Sequence, residues 1–472
     1  MSKVLFDVCT FQEGYVNPSQ KIRRYFGKEI KWLRTVDLNN SLIYDTSEHL
    51  SLEGYKSAGK SAYLFPEDSI AISKSGTIGE LGIIKEKMCG NRAVINICVN
   101  KNSADLLYVF YLLKYKKKEI VSKAVGSIQK NLYISNLGTI SINHDDIDAQ
   151  KRISSILWLL DSKIINNKKI NSEIELLAKT LYDYWFLQFD FPNEDGKPYK
   201  SSGGKMVYND KLKREIPHGW EVKSVKDCIK SINTGLNPRN HFILNDGDIK
   251  YITVKNITTS GELDFSNCDT ISQKSKDLIN KRSMIDVGDI LFASIAPLGR
   301  CYLIQEKPIN WEINESVFSI KPNNTNLSEY LYMYFMSDYF IKKAEHSSTG
   351  SIFAGIRIST LENELLIIPS GNILDSFSNK VRPFFKVKNV VSKEIQELIK
   401  LRDFLLPLLM NGQVTIQDAE QQVNNTISNV WNVEKLLRFA QWKQMQGYAA
   451  RGEVDEDTLM KIFDTMDKDA KK

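Results

Sequence analysis

The spacing of hydrophobic positions changes twice along the chain, and the same change happens again in its second half. Over 1–146 the apolar residues come in short runs such as "SIAIS" (69–73), "LGIIK" (81–85) and "AVINICV" (93–99), bounded by Gly, Pro and Asn. That pattern predicts strands, with one helix inside at "DLLYVFYLLKYKKKEI" (105–120). Over 147–188 the spacing becomes an alternating three and four, through Ile153, Leu157, Leu160, Ile164, Asn167, Asn171, Ile174, Ala178, Leu181 and Trp185. Strand-like runs return over 221–371 in "ILFAS", "CYLIQ" and "VFSIKP". The three-four spacing returns over 372–412, through Phe377, Val381, Phe384, Val391, Ile395, Leu398, Leu405 and Leu409, interrupted by Lys388 and Arg402. Apolar positions kept at this spacing for so long predict a coiled-coil seam. Pro383 predicts a kink or a late start in the second helix.

The repetition extends to the residues themselves. "IKWLRTVDL" (30–38) parallels "IKYITVKNI" (249–257), and "SIAISKSGTIGELGIIKEK" (69–87) parallels "DILFASIAPLGRCYLIQEK" (289–307). "GSIQKNLYISNL" (126–137) parallels "GSIFAGIRISTL" (350–361), and "EIELLAK" (173–179) parallels "EIQELIK" (394–400). The matches keep their order, and their offset stays near half the chain. One large module has therefore been duplicated, in contrast to a solenoid of short repeats. The expected organisation is a mixed α/β domain at 1–146, a long helix at 147–188, a Gly-, Pro- and Lys-rich linker at 189–220, a second mixed domain at 221–371, a second long helix at 372–412 and an extension at 413–472. The expected class is α+β, with the two helices antiparallel and the whole pseudo-two-fold. A helix of about 40 residues is about 60 Å long, so such a pair would space the two domains like a ruler. In the extension, "NVEKLLRFAQWKQMQGYAA" (432–450) is a candidate amphipathic helix.

Composition narrows the picture only slightly. The 472 residues are 42% hydrophobic and 25% charged, ordinary for a globular chain. The longest apolar runs fall far short of the roughly 20 residues of a membrane span. No secretory signal is expected from "MSKVLFDVCT". Six scattered cysteines and five histidines lack zinc spacing and fit reduced cysteines in a cytoplasmic protein. The net charge of +6 is uneven, because residues 413–472 hold 10 acidic and 8 basic side chains, leaving the excess on the first 412.

One catalytic-looking motif matches in full. "GYKSAGKS" (Gly54–Ser61) fits the phosphate-binding loop GxxxxGK[ST]. Such a loop needs a buried strand before it and a helix after it, and here the preceding "YDTSEHLSLE" is polar. An exposed basic loop is the better account. HExxH, GxSxG, a glycine-rich AdoMet loop and the methyltransferase tetrapeptide [ND]PP[YFW] are all absent, so a nuclease or methyltransferase with an integrated recognition half is the weaker alternative. What remains is polar loop chemistry at corresponding places in both copies. The first copy offers Lys74, Ser75, Thr77, Arg92, Gln129, Lys130, Asn131 and Tyr133; the second offers Arg239, Ser294, Arg300, Ser351 and Arg357. Gln and Asn pair with adenine edges, Arg and Lys with guanine or phosphate, and glycine lets backbone approach a phosphate. The copies diverge in these loops, "SKSGTIGE" against "SIAPLGR" and "QKNLY" against "FAGIR", as two readers of different sequences would.

With the duplication and the paired helices in view, the chain resembles the specificity subunit of type I restriction-modification systems. The resemblance covers about 1–412 and is carried by "LYDYWFLQFDFPNEDGKPYKSSGGKMV" (181–207), "IPHGWEV" (216–222) and "LRDFLLPLLMNGQV" (401–414). It implies two target recognition domains, each reading half of a bipartite site in double-stranded DNA, and helices that dock two methyltransferase subunits. It further implies motor-nuclease subunits, a role in phage defence, a cytoplasmic location without a membrane, and no catalytic or metal site in this chain. AdoMet, ATP and Mg²⁺ would belong to the partner subunits.

Overall fold

The computed structural model describes residues 3–126, 130–144, 146–239, 241–347, 355–370 and 372–429. The chain divides into two compact units, the first drawn from residues 1–165 and 395–430, the second from 166–394. The division cuts across the duplication: each unit holds one mixed domain, part of the first long helix and part of the second.

In the first unit the central sheet runs in the order Cys9–Glu13, Val94–Val99, Ser69–Ser73, Leu81–Ile84, with Leu42–Ile43 parallel at the far edge. Ser69–Ser73 and Leu81–Ile84 are buried throughout, which is why their runs read as apolar on both faces. A smaller sheet places Phe26–Leu33 parallel to Met88–Gly90. The second unit repeats both arrangements. Its main sheet runs Ile229–Thr234, Val317–Pro322, Ile290–Ala293, Cys301–Leu303, and Ile249–Ile252 lies parallel to Trp311–Ile313. The duplication inferred from residues is thus a duplication of topology.

The long helices are Ile147–Tyr182, which passes into a short π-turn at Asp183–Leu187, and Ile373–Met410. They begin at Ile147 and Ile373. No late start occurs at Pro383, and the helix continues through it. An interior proline costs about 3 kcal/mol, but Phe377, Val381 and Phe385 around it are buried and hold the segment in place.

Within each unit the two helices pack antiparallel, and the breaks in the second seam are answered from the first. In the second unit the buried Lys388 pairs with Glu175 at 2.6 Å, and Asn171 Nδ2 donates to Ser392 Oγ at 2.9 Å. In the first unit Arg402 pairs with Asp161 at 2.6 Å. The carbonyls that end the second helix are taken up by the first mixed domain: Asn143 Nδ2 donates to the Met410 oxygen at 2.8 Å, and His144 Nε2 lies 3.1 Å from that of Leu409. Helix ends need such partners. A further helix follows at Ile416–Asn429; the candidate helix at 432–450 lies outside the described residues.

The segment 189–220 is more than a linker. It folds into the hairpin Met206–Asn209 with Arg214–Pro217. Phe191 stacks between Tyr199 and Trp220, with centroids 4.6 and 4.8 Å away. Phe189, Phe191, Ile216 and Trp220 anchor it in the second unit's core.

Candidate nucleic-acid interface

The loop after Ser69–Ser73 is shaped by one buried serine. Ser73 Oγ donates to the Thr77 carbonyl at 2.5 Å and accepts from Glu80 N at 2.8 Å. Gly76 and Gly79 carry positive φ, which lets the chain reverse within that span. Burial pushes the Glu80 carboxyl up, but hydrogen bonds from Lys117 and Asn40 outweigh this and hold it below its ordinary value. The loop is therefore rigid at its base and exposes Thr77 at its tip.

Lys74 joins this loop to two others through its backbone. Its N–H donates to the Ala93 carbonyl, and its carbonyl accepts from Leu132 N, both at 2.8 Å. Residues 91–93 form a turn in which Asn91 Oδ1 accepts from Ala93 N at 3.0 Å, leaving Arg92 exposed. Val125 and Asn131 exchange two backbone bonds of 2.9 Å. The structure thus gathers Ser75, Thr77, Arg92, Lys130, Asn131 and Tyr133 on three adjoining loops, with Tyr133 half exposed. The Lys74 ammonium turns aside to Glu13 at 2.8 Å.

The second unit has the same frame. Ser294 N donates to the Ser316 carbonyl at 3.0 Å, and the Ser294 carbonyl accepts from Ile356 N at 2.8 Å. Asn314 Oδ1 accepts from Ser316 N at 3.1 Å, as Asn91 does for Ala93. Where the first unit has Arg92 in that turn, the second has Glu315. Two expected residues work inward here. Ser294 is only 7% exposed, and its hydroxyl donates to Ser316, so it serves the loop's own fold. Arg300 is half-buried and reaches the Val254 carbonyl at 3.4 Å. Arg239 and Arg357 are exposed. Gln129 and Ser351 lie outside the described residues.

Two further residues of this frame, Asn237 and Tyr251, lie outside the expected set. Asn237 Nδ2 donates to Glu315 Oε1 at 2.7 Å, and Asn237 Oδ1 accepts from Arg239 N at 3.0 Å. Tyr251 Oη donates to the neighbouring Leu236 carbonyl. Together they tie down the loop that carries Arg239. The pair "NPSQ" and "NPRN" at 17 and 237 was the available signal for Asn237.

The phosphate-loop match does not form a phosphate loop. Gly54 lies inside the helix Leu52–Lys56, and Gly59–Ser61 is a single 3₁₀ turn. A strand–loop–helix cradle has no room in that arrangement. Among the described residues no group of three His, Cys, Asp or Glu could hold a metal, and no helix is long and apolar enough to cross a membrane.

Two mixed domains that share one loop frame and differ in what the loops display define a duplicated recognition protein. The type I restriction modification DNA specificity domain matches residues 1–176 and 217–400, and the chain belongs to that family as a specificity subunit, a non-catalytic component of a restriction enzyme complex. It is 28% identical over 412 residues to the type I restriction enzyme MjaIX specificity subunit of Methanocaldococcus jannaschii, covering 86% of this chain and 91% of that one. It is 24% identical over 349 residues to the HindI specificity subunit of Haemophilus influenzae, covering 63% and 74%. The crystal structure of the S subunit from M. genitalium shares the fold, with a TM-score of 0.52 at 15% identity over 87% of this chain and 95% of that one.

Proposed function

We propose that each unit reads one half of a bipartite site in double-stranded DNA, through residues 74–80, 91–93, 124–126 and 130–133 in the first and 235–239, 294–300, 314–316 and 355–357 in the second. The observation that carries this is the pair of matching hydrogen bonds, Leu132 N to Lys74 O and Ile356 N to Ser294 O, holding one frame under different side chains. Phosphate contacts position such a protein and side chains on base edges specify the sequence. Thr77, Arg92, Lys130 and Tyr133 in one unit and Arg239 and Arg357 in the other are the exposed candidates.

The long helices carry exposed apolar side chains in both units, Leu159 and Phe404 in the first and Leu176, Leu177 and Tyr184 in the second. They are the surfaces on which two methyltransferase subunits would dock, with motor-nuclease subunits completing the assembly in the cytoplasm. AdoMet, ATP and Mg²⁺ would be held by those partners. The test is selection of bound duplexes from random-sequence DNA by the chain, with and without its methyltransferase partner. A two-part enriched motif supports the reading. Enrichment of nothing by either preparation refutes it, and cleavage or methylation by the chain alone would favour an enzyme.

A further inference from the structure

The GKS segment, though not a phosphate loop, is part of a basic surface that the loop frame does not use. The helix Leu52–Lys56 packs on the 3₁₀ turn Arg23–Tyr25: Ser51 Oγ donates to the Arg24 carbonyl at 2.7 Å, and Ser51 N to the Tyr25 carbonyl at 3.0 Å. The approach is so close that a Cβ on Gly54 would lie 2.1 Å from the Tyr25 oxygen. These contacts bring "KIRRYFGK" (21–28) and "YKSAGK" (55–60) together and expose Lys21, Arg23, Arg24, Lys28, Lys56 and Lys60. Arg24 pairs with Glu53 at 2.9 Å. The other five have no carboxylate partner among the described residues.

Of the two corresponding stretches in the second copy, "HFILNDGD" (241–248) has two aspartates and no lysine or arginine, whereas "KSKDLINK" (274–281) keeps lysines at 274, 276 and 281. The fold therefore does not require the charge of the 21–28 stretch. The surface also lies within reach of the reading loops. Val16 N donates to the Gly90 carbonyl at 3.2 Å, two residues before Arg92. From Val16 to Arg23 the chain spans at most about 25 Å, the length of about seven base pairs.

We propose that this surface grips phosphates of the DNA duplex flanking the half-site of the first unit. The inference rests on the DNA-reading function proposed above. Four of those five side chains are lysines, whose flexible ammonium groups suit point contacts to a phosphate backbone better than base recognition. Each phosphate neutralised releases condensed counterions, so its signature is the salt dependence of affinity.

The experiment uses the full chain with its methyltransferase partner, compared with the same complex carrying Lys56→Ala and Lys60→Ala. The duplex carries the motif that the wild-type complex methylates, with about ten flanking base pairs, and binding is followed by fluorescence anisotropy from 50 to 200 mM KCl. Losing two phosphate contacts lowers the slope of log affinity against log salt by about 1.8. The variant's affinity should then fall about 12-fold less across that range than the wild type's, with the methylated motif unchanged. On a duplex cut close to the first half-site the two complexes should bind alike. Equal slopes on the long duplex, or an altered motif, would overturn the proposal. A wild-type complex that does not prefer its own motif would overturn it through the underlying reading, a result distinct from equal slopes.

Discussion

Replacing Asp161 by alanine should unfold the first unit far more readily than any surface change. Asp161 accepts from Arg402 at 2.6 Å and from Tyr111 Oη at 2.8 Å, and Lys114 Nζ stands 3.6 Å away. The side chains of Asp161 and Arg402 are 10% and 15% exposed. Burial lowers the Lys114 ammonium and Asp161 pulls it back up, so losing the carboxylate drives Lys114 towards its neutral form. Breaking a buried pair costs about 3–5 kcal/mol, and the Tyr111 hydroxyl left without an acceptor adds about 1–3. Arg402 keeps Asp403 at 2.7 Å, which offsets part of this, so about 4 kcal/mol is expected. For a unit of this size that is a fall of about 8–16 °C in Tm. Arg402→Met alone leaves Asp161 with Tyr111 and Lys114 and should cost about half as much. Asp161→Leu with Arg402→Met should recover most of the loss, because an apolar pair replaces a charged one. Calorimetry measures the size, and hydrogen exchange in peptides 105–115 and 153–165 locates it. A change under about 1 kcal/mol for Asp161→Ala would refute the idea that this pair fastens the end of the second helix to the first mixed domain.

Three further outcomes are expected. Burial pushes the Glu312 carboxyl up to about 7, with Lys276 and the Ile313 N–H only partly opposing it, so the folded second unit holds a proton that the unfolded chain has lost. That stability is complete below about pH 4.5 and fades as pH rises through 7, about 3 kcal/mol in all; Glu312→Gln should flatten the pH dependence of urea melts between 5 and 8, and an unchanged slope would contradict it. Glu315→Ala and Arg239→Ala should each weaken binding to the motif by about 1–3 kcal/mol, and the double variant no more than the stronger single one, since Glu315 acts through Asn237 on the loop bearing Arg239. Additive losses in that cycle would separate the two residues. The chain alone should hydrolyse no ATP; turnover abolished by Lys60→Ala would reinstate a phosphate loop that Gly54, inside a helix, argues against.

The parts of this fold that were legible in the sequence are those with period and repetition. Seam positions Ile153, Leu157, Leu160, Ile164, Asn167, Asn171, Ile174 and Ala178 are buried. The burial of the interrupting Lys388 was not legible, because its partner Glu175 lies 213 residues away and only the antiparallel register brings them together. The anchoring of 189–220 was not legible for a similar reason: its glycines and lysines are local, whereas the Phe191, Tyr199 and Trp220 stack is tertiary. In the interface the divergent loops were visible, but not which side chains they spend on themselves. Ser294 and Lys74 occupy equivalent places in one backbone frame, yet the serine is buried and the lysine turns to Glu13. Glu315 escaped notice because an acid was not sought among DNA readers, and only the Asx turn it shares with Arg92 reveals it.

The central claim is that the two mixed domains read DNA independently. Its most direct test is to exchange residues 1–146 for those of a relative, assemble the complex with its methyltransferase partner, and map the methylated bases genome-wide. The account predicts that one half of the bipartite motif changes to that of the donor while the half read by the second unit keeps its sequence. Alteration of both halves, or of neither, would contradict it.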